Sequence, residues 1–391
     1  MANKIKITAI CILLLTSFIT TTAVSGRSIL QPRGEALIRL DDLSTKLVSS
    51  YDFDGITIYV DDDNTAGPWN GTQQYPYKNI QDGIDNASNN DTIFVYNGTY
   101  NENIQLNKTV KLLGEDKNST VINGSDIIAP VFAVIVIEAE GTDVSGFTIK
   151  NNVHNGIFIE RNNCTIHGNI ITETNFGIFL IFNEGCFIYN NIISNSSLGV
   201  LGTSSHDNFI TDNIIDNNSI AGIEIADGKD NNISLNIITN NKYYGIALAG
   251  CEGSYIFLNN IENNGHRGIS LYDSSNSYIV FNKIENNGKN PDPILIEEIP
   301  AGGIYLGNSS NLCVKFNNIQ NNSEYGLKAS NCSVSCTWNW WGSLLGPSRT
   351  ELGLLGDRLI VENSIIVDTF PWLPFKNPFA GYNEKWEYDY Y

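Results

Sequence analysis

The stretch "NFITDNIIDNNSIAGIEIAD" (208–227) returns 23 residues later as "NNISLNIITNNKYYGIALAG" (231–250), in the same isoleucines, glycines and asparagines. Aligning the chain on its Gly-apolar-x-apolar quartets gives Gly156, Gly177, Gly199, Gly222, Gly245, Gly268, Gly303 and Gly326, spaced by 21, 22, 23, 23, 23, 35 and 23 residues. The outlier is one repeat plus a twelve-residue insertion. A second column, Ile166, Ile188, Ile210, Ile233, Ile256, Ile279 and Val314, keeps the same register, and three residues after each stands an asparagine: Asn169, Asn191, Asn213, Asn236, Asn259, Asn282 and Asn317.

Within a quartet, Ile223 and Ile225 point one way and Glu224 the other, the alternation of a half-buried strand. Apolar runs of three to five residues, broken by Asn, Gly and Ser, are too short for helices. A period of about 22–23 residues fits three short strands and three turns per coil. Stacked coils pair each strand in parallel with its equivalent about 4.8 Å away. The predicted fold is therefore all-β: a single-stranded parallel β-helix, right-handed by the chirality of parallel crossovers. Inward isoleucines form apolar ladders, and the asparagine columns bond side-chain amides to one another and to turn backbones. A further column, Asn195, Asn217, Asn240, Asn263, Asn286 and Asn321, is expected to serve another turn. Turns at this spacing account for the 53 asparagines of the 391-residue chain.

Residues 1–25 read as a signal peptide: Lys4 and Lys6, an apolar run, then Ala23 and Ser25 at cleavage-site spacing, with an uncleaved anchor as the alternative. Its removal takes the formal charge from −19 to −21. So acidic a chain is unsuited to nucleic acid or anionic membranes and suited to solubility or cation binding. No later segment is long and apolar enough to span a bilayer. Export permits disulfides among the six cysteines left after Cys11, and fourteen Asn-x-Ser/Thr sequons fit a glycosylated surface. Residues 26–55 read as a linker or arm, 56–375 as the β-helix with its caps and an insertion loop at 289–301, and 376–391 as a polar tail. Open solenoids need capped ends. "YKNIQDGIDNA" puts Ile80, Ile84 and Ala87 on one face of a short cap helix, and Trp338, Trp340, Trp341, Phe370 and Trp372 are expected to plug the last coil.

The "YVDDDNTAGPWNGTQQYPYKNIQDGIDNASNNDTIFVYNGTYNENIQL" opening, the "NNxI…GI.L" coils and the "NWWG…GPS…VDTFPWL" close resemble secreted right-handed β-helix proteins of the pectin-lyase-like superfamily, most closely its NosD-like and archaeal surface-protein branch. The resemblance spans about residues 56–375. It implies the fold and says little of activity, because the shared motif describes coils.

Polysaccharide-cleaving relatives on this fold place carboxylates, a histidine and a basic residue on adjacent coils. Here the coils contain no Asn-Thr-Asp and no Asp-Asp pair, and "NGHRGIS" gives only a partial echo in His266. Repeat alignment nevertheless brings one constellation together at the insertion: Tyr243 and Tyr244 a coil below, His266 and Arg267, Glu297 and Glu298 on the loop, and Glu324 and Tyr325 a coil above. Aromatics, a cation and carboxylates around a protruding loop suit sugar binding or acid–base chemistry; the alternative is a solvated loop with surface ion pairs. Asp61, Asp62 and Asp63 are the densest acidic cluster, a candidate for Ca²⁺ or a strand-end turn. Glu262 and Glu285 stack where a cation could join them. The NosD resemblance implies copper, but His154, His167, His206 and His266 are scattered and the only methionine is Met1, so a copper site is not expected. Cys164 and Cys186 occupy equivalent positions in neighbouring coils, and Cys332 and Cys336 lie near the C-terminal cap. Both are candidate disulfides, with a buried thiol ladder as the alternative.

The outward quartet position reads Phe158, Phe179, Leu201, Glu224, Ala247, Ser270, so its first third is apolar and wants a cover, from the arm or another subunit. The expected function is a secreted or cell-surface, non-catalytic scaffold or adhesin-like module that contacts glycans or surface proteins. The rivals are a lyase, epimerase or hydrolase acting on acidic polysaccharide through the His266/Arg267 turn, and an accessory of metal-centre assembly.

Overall fold

The computed structural model describes residues 53–124, 133–289, 300–348, 356–368 and 371–381. The predicted signal peptide, most of the predicted arm, Glu297 and Glu298 of the insertion, Phe370 and residues 382–391 of the tail lie outside them. Residues from Phe53 on form one unit, and it is a right-handed parallel β-solenoid. One coil reads Phe209–Thr211 on face A, Ile214–Asp216 on face B and Ala221–Ala226 on face C. Face A is a 13-stranded parallel sheet running from Thr57–Val60 to Ile365–Asp368. Faces B and C repeat the pattern, with Ile214 beside Ile237 and Ile223 beside Ile246. They merge where Thr148–Ile159 and Ile170–Ile181 pass the corner unbroken.

The period of two sends every second side chain inward. Ile188, Ile210, Ile233 and Ile256 on face A, Ile193, Ile215 and Ile238 on face B, and Val200, Ile223 and Ile246 on face C are fully buried. At about 25 cal/mol per Å², each buried isoleucine contributes about 1.5–3 kcal/mol, which offsets the ordering of so many turns.

At the A–B corner a residue at positive φ precedes each ladder asparagine: Asp212, Leu235, Leu258, Phe281, Phe316 and Trp338 take φ of 56° to 61°. A bulky residue is strained there, and the ladder holds the turn. Asn213 donates its backbone N–H and its Nδ2 to Asn236 Oδ1, both at 3.0 Å, and Nδ2 also reaches Ile188 O at 2.9 Å. The column runs on through Asn259, Asn282 and Asn317 to Asn339.

The second predicted column behaves differently. Asn195, Asn217, Asn240, Asn263, Asn286 and Asn321 take φ of 54° to 59° at the B–C corner, which turns their side chains outward. The buried ladder there is one residue further on, through Ser196, Asn218, Asn241, Asn264, Asn287 and Asn322 to Asp357.

The cap helix spans Ile80–Asn86, with Ile80 and Ile84 fully buried and Ala87 nearly so. Glu102 accepts from the Ile80 and Gln81 N–H groups at 2.7 and 3.0 Å. At the other end Trp341 is fully buried in the core, and Trp372 packs against it partly buried. Trp338 instead stacks outside on Phe316, itself stacked on Phe281, and Trp340 bonds Gln320. The described start of the tail lies back along this corner: Asn377 and Asn318 exchange two hydrogen bonds at 2.8 Å, and Gly381 N–H donates to Phe281 O.

Candidate functional site

The insertion leaves the coil just after ladder residue Asn287. Gly288, at φ +81°, touches the far end of the loop so closely that a Cβ there would lie 2.8 Å from Gly302 N. A pinched neck lets the ladder pass undisturbed. Below it the predicted constellation assembles in part. His266 is fully buried, edge-on to Tyr244 at 5.7 Å, and its backbone is held by Tyr243 O and Gly302 N–H. Arg267, 6% exposed, donates to Pro300 O and Ser270 Oγ, both at 3.3 Å, and lies 3.9 Å from the Tyr305 ring. Tyr325 donates to Pro300 O and hydrogen-bonds with Arg267; burial pushes its phenol up. Glu324 accepts from Ala301 N–H at 3.2 Å. Much of the constellation thus holds the root of the loop.

The sequence reading missed two features. Ser270 and Tyr305 complete the Arg267 environment; the outward column Glu224, Ala247, Ser270 would have reached Tyr305 had it been continued one coil. A trough of about 700 Å³ runs along the B–C corner from Thr174 to Gly265, lined by Asn195, Asn217, Asn240, Asn263, Ser219 and Lys242 among others. Its signal was present in the exposed asparagine column, which was assigned to the turn alone. Lys242 also lies 5.0 Å from the Tyr243 ring.

The acidic cluster is used within its turn: Asp61 Oδ1 accepts from Asp63 N–H and Asp62 Oδ2 from Thr99 N–H, both at 3.0 Å. The cation beside the stacked glutamates is an amine. Lys283 pairs with Glu262 at 2.8 Å, and Lys376 with Glu285 at 2.7 Å. The outward column keeps its apolar start, with the Phe158 and Phe179 rings 5.3 Å apart. Cys164, Cys186, Cys332 and Cys336 are buried, and no disulfide joins either candidate pair. Cys164 and Cys186 lie on neighbouring coils and bond to each other, and that bond, with burial, raises the Cys186 thiol well above its ordinary range.

The family model described as "Periplasmic copper-binding protein (NosD)" matches residues 84–291, more than half of the chain, and "Right handed beta helix region" matches residues 243–340. No curated protein sequence matches. Among solved structures the chain is similar to the A-module of Azotobacter vinelandii mannuronan C-5 epimerase AlgE4 (14% identity, 80% of this chain and 99% of that one, TM-score 0.51). It is also similar to the enzymatically active domain of bacteriophage CBA120 tailspike protein 2 (12%, 78% and 52%, 0.54) and to PfbA, a surface adhesin of Streptococcus pneumoniae (15%, 78% and 87%, 0.51). Likeness at these identities shows the fold alone.

The family description raises copper, and the donors present do not fit it. His167 pairs with Asp143 at 3.2 Å on face A, His206 Nδ1 accepts from Lys229 N–H at the C–A corner, and His266 is buried at the B–C corner. Cys164 and Cys186 donate to the carbonyl oxygens of Asn162 and Arg161, and the raised Cys186 thiol resists forming the thiolate that copper needs. Among the described residues no group of three or more His, Cys, Asp or Glu is placed to hold a metal ion, nor does a helix there suffice to cross a membrane. The chain belongs to the NosD family of right-handed parallel β-helix proteins, without a copper-binding constellation among its described residues.

Proposed function

We propose that the protein is an exported, surface-held β-helix scaffold that binds glycan chains along its B–C corner and does no chemistry on them. The observation that carries this reading is the trough. It runs parallel to the solenoid axis, and each coil adds an outward amide at positive φ about 4.8 Å from the last. Amides and hydroxyls offer donors and acceptors together, which suits the alternating hydroxyl and ring oxygens of a polysaccharide. Catalysis is disfavoured by burial and pairing: His266 is closed off beneath the loop root, and the carboxylate nearest the trough, Asp216, is held by Thr239 Oγ1 and Asn240 Nδ2 at 2.7 and 2.8 Å. The adhesin and carbohydrate-active neighbours support glycan contact as a use of this fold, and the family's periplasmic description supports export.

The test is affinity electrophoresis of the full chain in a panel of neutral and acidic polysaccharides, with and without Ca²⁺, beside Asn217→Gly/Asn240→Gly. Glycine keeps the positive φ while removing both amides. Retardation that falls at least ten-fold in the variant supports the reading. Equal retardation of both proteins, or release of new reducing ends, overturns it.

A further inference from the structure

We propose that residues 382–391 of the tail dock on face B, laying a row of aromatic rings over a stripe of outward isoleucines. The inference goes beyond the glycan reading, because the stripe lies on the flat of face B and not at the B–C corner. Strand register puts Ile170, Ile192, Ile214 and Ile237 in one outward column. The same column continues through Asn260 and Lys283 to Asn318, so its chemistry changes from apolar to polar along the solenoid. Ile214 is 41% exposed and the other three isoleucines are half-buried. A contiguous apolar stripe that faces outward marks a contact surface.

The described start of the tail already travels along this column toward the isoleucines. Lys376 pairs with Glu285 at 2.7 Å, and Asn377 exchanges its two 2.8 Å hydrogen bonds with Asn318. Four residues on, Gly381 donates its N–H to Phe281 O at 2.7 Å and lies flat on the surface: a Cβ there would meet Lys283 Cβ at 2.6 Å and collide with Asn260 Oδ1. The path therefore leads from Asn318 past Lys283 to Asn260, and Ile237 is the next residue of the column. From Asn260 to Ile170 is four coils, about 19 Å at about 4.8 Å per coil, which about six extended residues span at about 3.3 Å each. The ten residues of 382–391 suffice. Their sequence, "YNEKWEYDYY", is polar in composition but alternates. Tyr382, Trp386, Tyr388 and Tyr390 fall on one side of an extended chain, with Glu384 the polar member, and Asn383, Lys385, Glu387 and Asp389 fall on the other. The order matches as well: Lys376 and Asn377 meet the polar part of the column, and the rings follow where it turns to isoleucine. Aromatic and β-branched side chains are favourable neighbours on a sheet surface.

Trypsin cleavage after Lys385 in the folded full chain, followed by mass spectrometry, tests the docking, with a synthetic peptide of residues 381–391 as the undocked reference. Cleavage of a docked segment tracks the fraction undocked, so this bond should be cut at least ten-fold more slowly in the protein than in the peptide. Two variants should each lose that protection, judged against the peptide of their own tail sequence. Trp386→Ser leaves the coils untouched, and Ile192→Thr/Ile214→Thr keeps β-branched residues at outward strand positions. Protection should hold over about a hundred-fold dilution, as an intramolecular contact does. Cleavage of the wild type at the peptide's rate would overturn the proposal. Protection that survives either variant would also overturn it, by putting the tail elsewhere, and protection lost on dilution would do so by assigning the stripe to a second copy of the chain.

Discussion

The A–B and B–C corners are both built on a buried asparagine ladder preceded by a residue at positive φ, yet they have become different objects. At the A–B corner the ladder connects two three-residue strands directly, and the column before it turns apolar, from Asp212 through Leu235 and Leu258 to Phe281 and Phe316. Rings stack over it, and the tail's first residues bond across it. At the B–C corner the column before the ladder stays asparagine, further residues separate ladder and strand, and the surface opens into a trough. One closed corner fixes the coil; one open corner is available for contact. Identical ladders therefore do not imply identical roles, and what distinguishes them is the chemistry of the neighbouring column.

The sharpest way to break this comparison is to cut each ladder in mid-stack. Asn236→Ala removes the acceptor of two Asn213 donors and leaves Ile210 O without its partner, in a corner closed to water. We expect a loss of about 3–4 kcal/mol in urea unfolding. Asn241→Ala removes the equivalent bonds from Asn218, but Asn241 lines the trough, where water can replace them. We expect about 1–2 kcal/mol there. Equal losses would erase the distinction between a closed and an open corner.

A smaller effect should come from the neck of the insertion. Gly288→Ala places a methyl group against Gly302 N at positive φ and should cost about 1–3 kcal/mol by thermal unfolding, with the coils below retained by circular dichroism. The smallest concerns the end of the B–C ladder, where Asp357 stands in an asparagine position and accepts from Asn322 at 3.0 and 2.8 Å. Burial raises its carboxyl above the unfolded value, so the folded state binds the extra proton and wild-type stability falls as pH rises through that range. Asp357→Asn should be more stable at neutral pH by about 0.5 kcal/mol and lose that part of the pH dependence. A variant less stable at pH 7 would contradict it.

The coil was legible because a solenoid writes each structural position many times: the isoleucine ladders, the first asparagine column, the cap helix and the outward series Phe158 to Ser270 all stand where the spacing puts them. The second asparagine column does serve a turn, as expected, but the buried ladder beside it runs one residue further on, since spacing reports a turn and does not say which of two adjacent asparagines points in. The site was legible as a neighbourhood only. Repeat alignment brought Tyr244, His266, Arg267 and Tyr325 together, but their burial depends on how Pro300 and Ala301 close over them, and no periodicity encodes a loop that occurs once. The terminal tryptophans failed in the same way: Trp341 and Trp338 have the same chemistry, and only the path of the last coil decides which is inside.

The most direct test of the open corner is a side-by-side polysaccharide titration of wild type, Asn217→Gly/Asn240→Gly, and Asp212→Gly as the matching change at the closed corner. The account predicts that binding drops at least ten-fold only in the B–C variant, with all three proteins folded. Binding unchanged in that variant, or lost equally in Asp212→Gly, would show that the trough is not where the glycan lies.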